Sequence, residues 1–224
     1  DQARVRALAF NSDGSRLATA RGGLVSFARV WAVPDLQSTG DSVAYAWKTG
    51  EHAGSILSLA FDRAAGGRSE TLFVGHSRNF VLPWSSPTGD AEPGRVGVRG
   101  DTLWGHEEGV RGLAFNPETG WLASASGDGT IRIWDPARTV ALLELRGHEL
   151  DVHSVHFRNG GLMSGSRDGT LRRWPLDGLS PGLEGGLDGA RTREVVCRIA
   201  RRNLSADEWD RFFALPPREV CPDG

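Results

Sequence analysis

One arrangement of apolar residues recurs along the first three quarters of the chain. An aliphatic residue is followed three positions later by a second one, and two positions beyond that by a phenylalanine, which precedes a tryptophan by 17 to 23 residues. The four occurrences are Val5-Leu8-Phe10 with Trp31, Ile56-Leu59-Phe61 with Trp84, Val110-Leu113-Phe115 with Trp134, and Val152-Val155-Phe157 with Trp174. A compound pattern that returns in register predicts four copies of one structural unit.

Short alternating runs separated by turn residues predict β-hairpins inside these units. In the third unit, Gly127-Asp128-Gly129 stands between the run from Trp121 to Ser126 and the run that ends at Trp134. The fourth unit has Asp168-Gly169 in the corresponding place. An Asp-Gly pair between two alternating runs is the strongest short-range signal for a hairpin. The sequence therefore predicts an all-β protein built from repeated antiparallel sheets.

Gly105-His106 and Gly147-His148 open the last two units, 42 residues apart, and Trp134-Asp135 closes the third. In these features the sequence resembles the WD40 family, whose repeat of about 40–45 residues carries Gly-His near one end and Trp-Asp near the other. The resemblance implies one four-stranded antiparallel sheet per repeat, with the tryptophan in its third strand, and a radial arrangement of these sheets as the blades of a β-propeller. Rings of this family usually have seven blades, so we expect further blades from residues before Asp1 or from a second chain. A closed ring of four blades is the less favoured alternative.

The same resemblance implies a buried hydrogen-bonded set in each blade, consisting of the Gly-His histidine, a strand serine, the turn aspartate and the tryptophan. Carried onto this sequence, the sets are His106, Ser124 or Ser126, Asp128 and Trp134, and His148, Ser164 or Ser166, Asp168 and Trp174. A buried carboxylate needs such donors. The first two repeats depart from the pattern, since Asp1 aligns with the histidine in one and Arg78 with the turn aspartate in the other. We expect these two blades to be held together by apolar packing alone.

The character of the chain changes near residue 179. We assign residues 1–178 to propeller blades, with repeats at about 1–50, 51–104, 105–146 and 147–178, a glycine-rich linker at 179–190, and a helical tail at 191–224. A capping box from Ser205 to Glu208 and the stop at Pro216-Pro217 predict a short helical hairpin. The segment from Cys197 to Ser205 resembles the ending of large bacterial WD40 proteins, in which the propeller follows a signalling module such as a STAND-type NTPase. That resemblance implies a C-terminal part of such a protein.

Composition excludes few classes of function. A net charge of −2 gives no reason to expect a nucleic-acid partner, and no apolar run approaches the roughly 18 residues of a membrane span. His148, His153 and His156 could suggest a metal site, but residues three apart on a strand point to opposite faces. No phosphate-binding loop is present. We expect no metal, no cofactor and no catalytic residue.

Two cysteines, Cys197 and Cys221, are too few for a secreted disulfide framework. A cytoplasmic protein with two free thiols is the expectation, because a reducing compartment opposes disulfides. The alternative is a disulfide between them, since they flank the predicted helical hairpin.

The leading hypothesis for function is a non-catalytic scaffold that binds a protein partner or the missing upstream part of the same protein, within a bacterial signalling or defence protein. The first alternative is an autoinhibitory module for a linked NTPase or protease domain, and the second is a hydrolase in the propeller channel. Loops on a rigid scaffold usually carry binding. The residues predicted to bind a partner are Arg21, Arg78, Arg111, His153 and Arg167.

Overall fold

A computed structural model gives the fold of the protein and describes residues 4–22, 27–33, 38–43, 54–62, 71–85 and 101–176. Within these ranges every regular element is a β-strand, which confirms the predicted all-β class. No helix in the described part of the chain is long and apolar enough to cross a membrane. The linker at 179–190, the helical tail at 191–224, Cys197 and Cys221 lie outside the described residues.

Four antiparallel sheets follow one another along the chain, and we call them blades 1 to 4. The neighbouring strands in each sheet are consecutive in sequence. Blade 1 comprises β1 (Arg4–Phe10), β2 (Arg16–Gly22), β3 (Phe27–Ala32) and β4 (Ser38–Val43); blade 2 comprises β5 (Ile56–Phe61), β6 (Thr71–His76), β7 (Phe80–Ser85) and β8 (Leu103–Trp104); blade 3 comprises β9 (Val110–Asn116), β10 (Trp121–Ser126), β11 (Ile131–Asp135) and β12 (Val140–Leu145); blade 4 comprises β13 (Val152–Arg158), β14 (Gly161–Ser166) and β15 (Leu171–Pro175).

The repeated tryptophans occupy equivalent places in these sheets. Trp31, Trp84, Trp134 and Trp174 each lie in the third strand of a blade. Each faces the second strand in the same way, because Trp84, Trp134 and Trp174 pair with Leu72, Leu122 and Leu162, and Trp31 pairs with Leu17. The propeller-blade fold that the family resemblance implies is therefore confirmed.

The first strand of each blade lies at the centre of the set of four blades. β1 contacts β5, β5 contacts β9, and β9 contacts β13. The far ends of all four strands line one cavity of about 450 Å³, to which Ala9, Phe61, Leu113 and Val155 contribute. The blades thus radiate from a shared axis, with their outer strands away from it.

Apolar packing between blades forms the core. Three clusters of buried side chains each combine residues of two successive blades. Between blades 2 and 3, for example, Leu122 and Trp134 pack on Phe73 and Val81, and the rings of Phe73 and Phe115 stack at 5.8 Å. Because a single sheet buries only part of its apolar surface, each blade depends on its neighbour for stability.

The apolar positions that repeat in the sequence are buried or partly buried in blades 2 to 4 and more exposed in blade 1. Val110 and Val152 are fully buried, whereas Val5 is 57% exposed. Leu8 and Phe10 are likewise 62% and 61% exposed. The face of blade 1 that carries them is the one that, in each later blade, packs on the preceding blade.

Candidate functional site

A buried chain of hydrogen bonds links four side chains of blade 3. The Nε1 of Trp134 on β11 donates to the Oγ of Ser124 on β10 at 2.8 Å. Ser124 Oγ lies 2.8 Å from Nε2 of His106, and the other ring nitrogen, Nδ1, lies 2.9 Å from Asp128 Oδ2. With the imidazole proton on Nδ1, each donor in this chain has an acceptor.

Asp128 is held in place by the tight turn between β10 and β11. Gly129 has φ of +81°, a conformation that favours glycine, and it turns the chain so that the backbone N–H groups of Glu107 and Thr130 donate to the carboxylate. Burial acts to raise the pKa of Asp128, but the hydrogen bond and charge of His106, together with Thr130 and Glu107, lower it more. The pKa therefore lies well below its ordinary value, and the carboxylate stays ionised.

Blade 4 repeats this arrangement with the same residue types. Trp174 Nε1 donates to Ser164 Oγ at 2.8 Å, and His148 lies 2.7 Å from Ser164 Oγ and 2.8 Å from Asp168 Oδ2. Hydrogen bonds from Thr170 and from His148 and Glu149 outweigh burial, so the pKa of Asp168 is also well below its ordinary value.

The structure assigns different roles to the two strand serines of each set. Ser124 and Ser164 join the histidine to the indole. Ser126 instead donates to the carbonyl of Glu108 at 2.8 Å, and Ser166 to that of Leu150 at 3.1 Å. The second serine therefore fastens the hairpin turn to the loop that precedes the first strand.

Sequence reasoning missed the threonine that follows each turn. Thr130 Oγ1 donates to Asp128 Oδ1 at 2.7 Å, and Thr170 Oγ1 donates to Asp168 Oδ1 at 2.6 Å. Each of these threonines also donates its backbone N–H to the same carboxylate oxygen. The signal was present in the sequence, since both turns read Asp-Gly-Thr.

Although serine, histidine and aspartate are connected as in a hydrolytic triad, the geometry does not offer a nucleophile. Ser124 is fully buried, and its oxygen is already engaged by the indole of Trp134 and by His106. The side chain of His106 is 1% exposed. A nucleophilic serine must reach a substrate carbonyl, so these two sets act as structural ties between strands.

The first two blades replace the polar set in different ways. In blade 1, Thr19 stands in the serine position and accepts a hydrogen bond from Trp31 Nε1 at 2.9 Å. The expectation of apolar packing alone is therefore wrong for this blade, because a threonine hydroxyl can do what the serine does. In blade 2 the position is taken by Val74, and the buried Nε1 of Trp84 has no partner among the described residues.

The histidines weighed as metal ligands do not converge. His148 belongs to the buried set of blade 4, while His153 and His156 are exposed on β13. Across the described ranges no group of three metal-ligating side chains is close enough to hold an ion.

The hairpin turns and the loops that precede the first strands meet on one end of the propeller, which we call the rim: residues 54–55, 77–79, 105–109, 127–129, 147–151 and 167–169. Equivalent backbone hydrogen bonds join them, from Ser77 to Ser55, from Gly127 to Gly109 and from Arg167 to Asp151, at 2.9–3.0 Å. In addition, Asn79 of blade 2 donates to the carbonyl of Glu107 at 2.6 Å. The loops of the rim are therefore tied to the sheets and to each other.

The five residues predicted to bind a partner lie at or beside the rim. Arg78 and Arg167 are exposed in the hairpin turns, and Arg21 is exposed near the end of β2. Arg111 at the start of β9 pairs with Asp151 of the next blade at 2.9 Å, and 36% of its side chain is exposed. His153 is 53% exposed and lies 4.0 Å from the same carboxylate. Sequence reasoning missed Asp151, which already neutralises Arg111.

Comparisons with known proteins agree with this architecture. The profile of the family described as "WD domain, G-beta repeat" (WD40) matches residues 97–135 and 140–175. The chain is 36% identical over 130 residues to Periodic tryptophan protein 2 of Arabidopsis thaliana, covering 56% of this chain and 14% of that protein. It is 33% identical over 138 residues to human Striatin-4, covering 59% and 18% respectively. The chain thus spans less than a fifth of the length of these two relatives.

Among solved structures, the crystal structure of the RRP9 WD40 repeats is similar, with a TM-score of 0.62 at 23% identity over 78% of this chain and 48% of that one. At this identity the likeness concerns the fold. Matched repeats, third-strand tryptophans and radial sheets lead to the same conclusion: residues 97–135 and 140–175 match the WD40 repeat, and the chain has the fold of WD40 β-propeller blades.

Proposed function

We propose that this chain is a non-catalytic scaffold that binds a protein partner through the rim. The observation that carries the proposal is the fastening of the rim loops by backbone hydrogen bonds that recur in blades 2, 3 and 4. A surface that is already ordered loses little conformational entropy when a partner binds. Loops presented on such a rigid scaffold are where binding residues concentrate.

The charges on the rim suggest the chemistry of the partner. Arg78 and Arg167 are exposed at the tips of two hairpin turns, and Arg111 pairs with Asp151. Glu107 and Glu149 are exposed on neighbouring loops. A partner with acidic groups opposite the hairpin tips and basic groups opposite the glutamates matches this distribution, and such complementarity favours specificity and fast association.

Charge reversal at the hairpin tips tests the proposal. The full chain, its Arg78→Glu/Arg167→Glu variant and an Arg158→Glu control are immobilised, and proteins retained from a lysate are quantified by mass spectrometry. Arg158 is an exposed arginine at the opposite end of β13. We expect partners retained by the wild type and the control to fall at least about tenfold with the double variant, a loss of about 1.4 kcal/mol in binding. Arg111 is left unchanged, because a glutamate there would face Asp151. Equal retention by all three proteins would contradict binding at the rim.

The wider setting is proposed on the sequence of residues 197–209 alone, which resembles the ending of bacterial multidomain WD40 proteins. In that setting the scaffold would lie in the cytoplasm and follow a signalling or defence module. The relatives named above are eukaryotic, so they support the scaffold and not this context.

A further inference from the structure

The far face of blade 4, which points away from blade 3, carries two rows of side chains: Ser154, Gly165 and Leu171 in one row, and His156, Met163 and Arg173 in the other, which we call the basic row. Residues that face each other across antiparallel strands project from the same side of the sheet. Leu162 and Trp174 alternate with them and are buried against blade 3. All three members of the basic row are exposed, so this row lies on an accessible surface.

The corresponding row is apolar in each of the other blades. It consists of Ala9, Ala18 and Val30 in blade 1, of Ala60, Phe73 and Pro83 in blade 2, and of Ala114, Ala123 and Ile133 in blade 3. All of these residues except Pro83 belong to the apolar clusters shared with the following blade. Blade 4 therefore has an arginine and a histidine where its siblings have side chains suited to apolar packing.

The basic row has no acidic counterpart within its own sheet. β13, β14 and β15 contain no aspartate or glutamate. Within the described residues, the side chains of His156 and Arg173 make no ion pair and no hydrogen bond. Burying an unpaired guanidinium against an apolar surface is strongly unfavourable. Whatever covers this row must therefore bring carboxylates of its own.

A second copy of this chain does not supply those carboxylates through the exposed face of blade 1. That face offers apolar surface at Leu8 and Phe10. Its three inner strands, however, contain no acidic residue and carry five arginines: Arg4, Arg6, Arg16, Arg21 and Arg29. Placing it on the basic row would bring like charges together, which is unfavourable. The charges thus favour a partner that is chemically different from this chain.

The spacing across the basic row indicates the shape of that partner. Neighbouring strands are about 4.8 Å apart, so β13 and β15 are separated by about 10 Å, close to the diameter of an α-helix with its side chains. His156 and Arg173 stand on these two strands, and Met163 stands between them on β14. Methionine adapts to apolar side chains of varied shape. Leu171, which is 79% exposed, extends the apolar surface into the next row.

We propose that the far face of blade 4 binds an amphipathic helix of a partner protein, whose apolar stripe is flanked on both sides by glutamate or aspartate. The helix lies along β14 with its stripe on Met163. Its two lines of carboxylates then reach His156 on one side and Arg173 on the other. This surface is the side of blade 4, whereas the rim is at the end of the sheets, so binding at one surface can fail without the other.

Fluorescence anisotropy with a synthetic helical peptide tests the charge pattern. The probe has a leucine stripe flanked by glutamates, and its control has lysines in their place. We expect the full chain to bind the glutamate peptide at least about tenfold more tightly than the lysine peptide, and Arg173→Glu to weaken that binding at least about tenfold. His156→Glu/Arg173→Glu should prefer the lysine peptide, because both sides of the row are reversed. Arg4→Glu, at an exposed arginine of blade 1, should leave the affinity unchanged.

The methyl group of Met163 locates the contact without any substitution in the protein. Met163 is the only methionine of the sequence, so its methyl group gives one assignable NMR signal. The glutamate peptide should shift this signal and the lysine peptide should not. The Arg78→Glu/Arg167→Glu variant should still show the shift, which separates this surface from the rim. A methyl signal that stays in place at saturating glutamate peptide, equal affinities for the two peptides, or a shift produced only by vesicles of phosphatidylcholine and phosphatidylserine would overturn the proposal.

Discussion

Replacing Trp134 by alanine is expected to lower the free energy of unfolding by about 3–5 kcal/mol, the usual cost of removing a large buried aromatic side chain. Trp134 is 2% exposed and packs between blades 2 and 3 against Phe73, Val81 and Leu103. The substitution leaves a cavity at this junction and removes the hydrogen bond that Ser124 accepts. Denaturant unfolding of the full chain, followed by circular dichroism, measures the loss.

Two variants separate the causes of this effect. Trp104→Ala removes a tryptophan that is 63% exposed, and we expect it to cost about 1 kcal/mol or less. Trp134→Phe keeps one aromatic ring at the site but removes the N–H donor and part of the buried volume, so its cost should lie between the two. Similar losses in the free energy of unfolding for Trp134→Ala and Trp104→Ala would show that the third-strand tryptophan stabilises the fold no more than an exposed tryptophan does.

Asp128→Asn is expected to lower the free energy of unfolding by about 2–4 kcal/mol at neutral pH. The carboxylate accepts hydrogen bonds from His106, from Thr130 and from the backbone N–H of Glu107. An asparagine amide has only one oxygen, so its NH2 group must face donors that then lose their acceptor. Asp101→Asn, the same change at an exposed aspartate, serves as the control and should cost about 0.5 kcal/mol or less.

The loss of stability caused by Asp128→Asn should also depend on pH, and the lowered pKa values determine whether it grows or shrinks as the pH falls. Because the pKa of Asp128 and of Asp168 is lower in the folded protein than its ordinary value of about 3.9, their contribution to stability is present above that value and is lost as pH falls further. Asp62, whose pKa is raised by burial, acts in the opposite direction. The difference between the wild type and Asp128→Asn should therefore shrink as the pH falls below about 4. A difference that stays constant down to acid pH would contradict the account of the carboxylate.

Much of the fold could be predicted because its signals are local and repeated. The phenylalanine and tryptophan spacing located the repeats, the family resemblance placed the tryptophans in third strands, and the Asp-Gly pairs located two hairpins. The choice between Ser124 and Ser126 could not be made from sequence. Residues two apart on a strand face the same side, and the register that brings Ser124 beneath the indole of Trp134 is a property of the folded sheet.

Contacts between blades were beyond the reach of sequence reasoning for a related physical reason. Leu8 and Phe10 repeat the apolar pattern of the later blades, yet their burial depends on a neighbouring sheet and not on their own strand. Arg111 was predicted as a partner-binding residue, but its charge is balanced by Asp151 of the next blade, 40 positions away along the chain. Such pairs arise only when the blades assemble.

Hydrogen exchange of the indole N–H groups, followed by NMR on the full chain, tests the central claim that Trp134 and Trp174 are buried and hydrogen-bond the third strand to the second. Trp134 and Trp174 donate to buried serines at 2.8 Å, so their indole protons should exchange at least about a hundredfold more slowly than that of Trp104, in keeping with opening that costs about 2.7 kcal/mol or more. Exchange of all three at the same rate would contradict the arrangement of buried ties on which the blades depend.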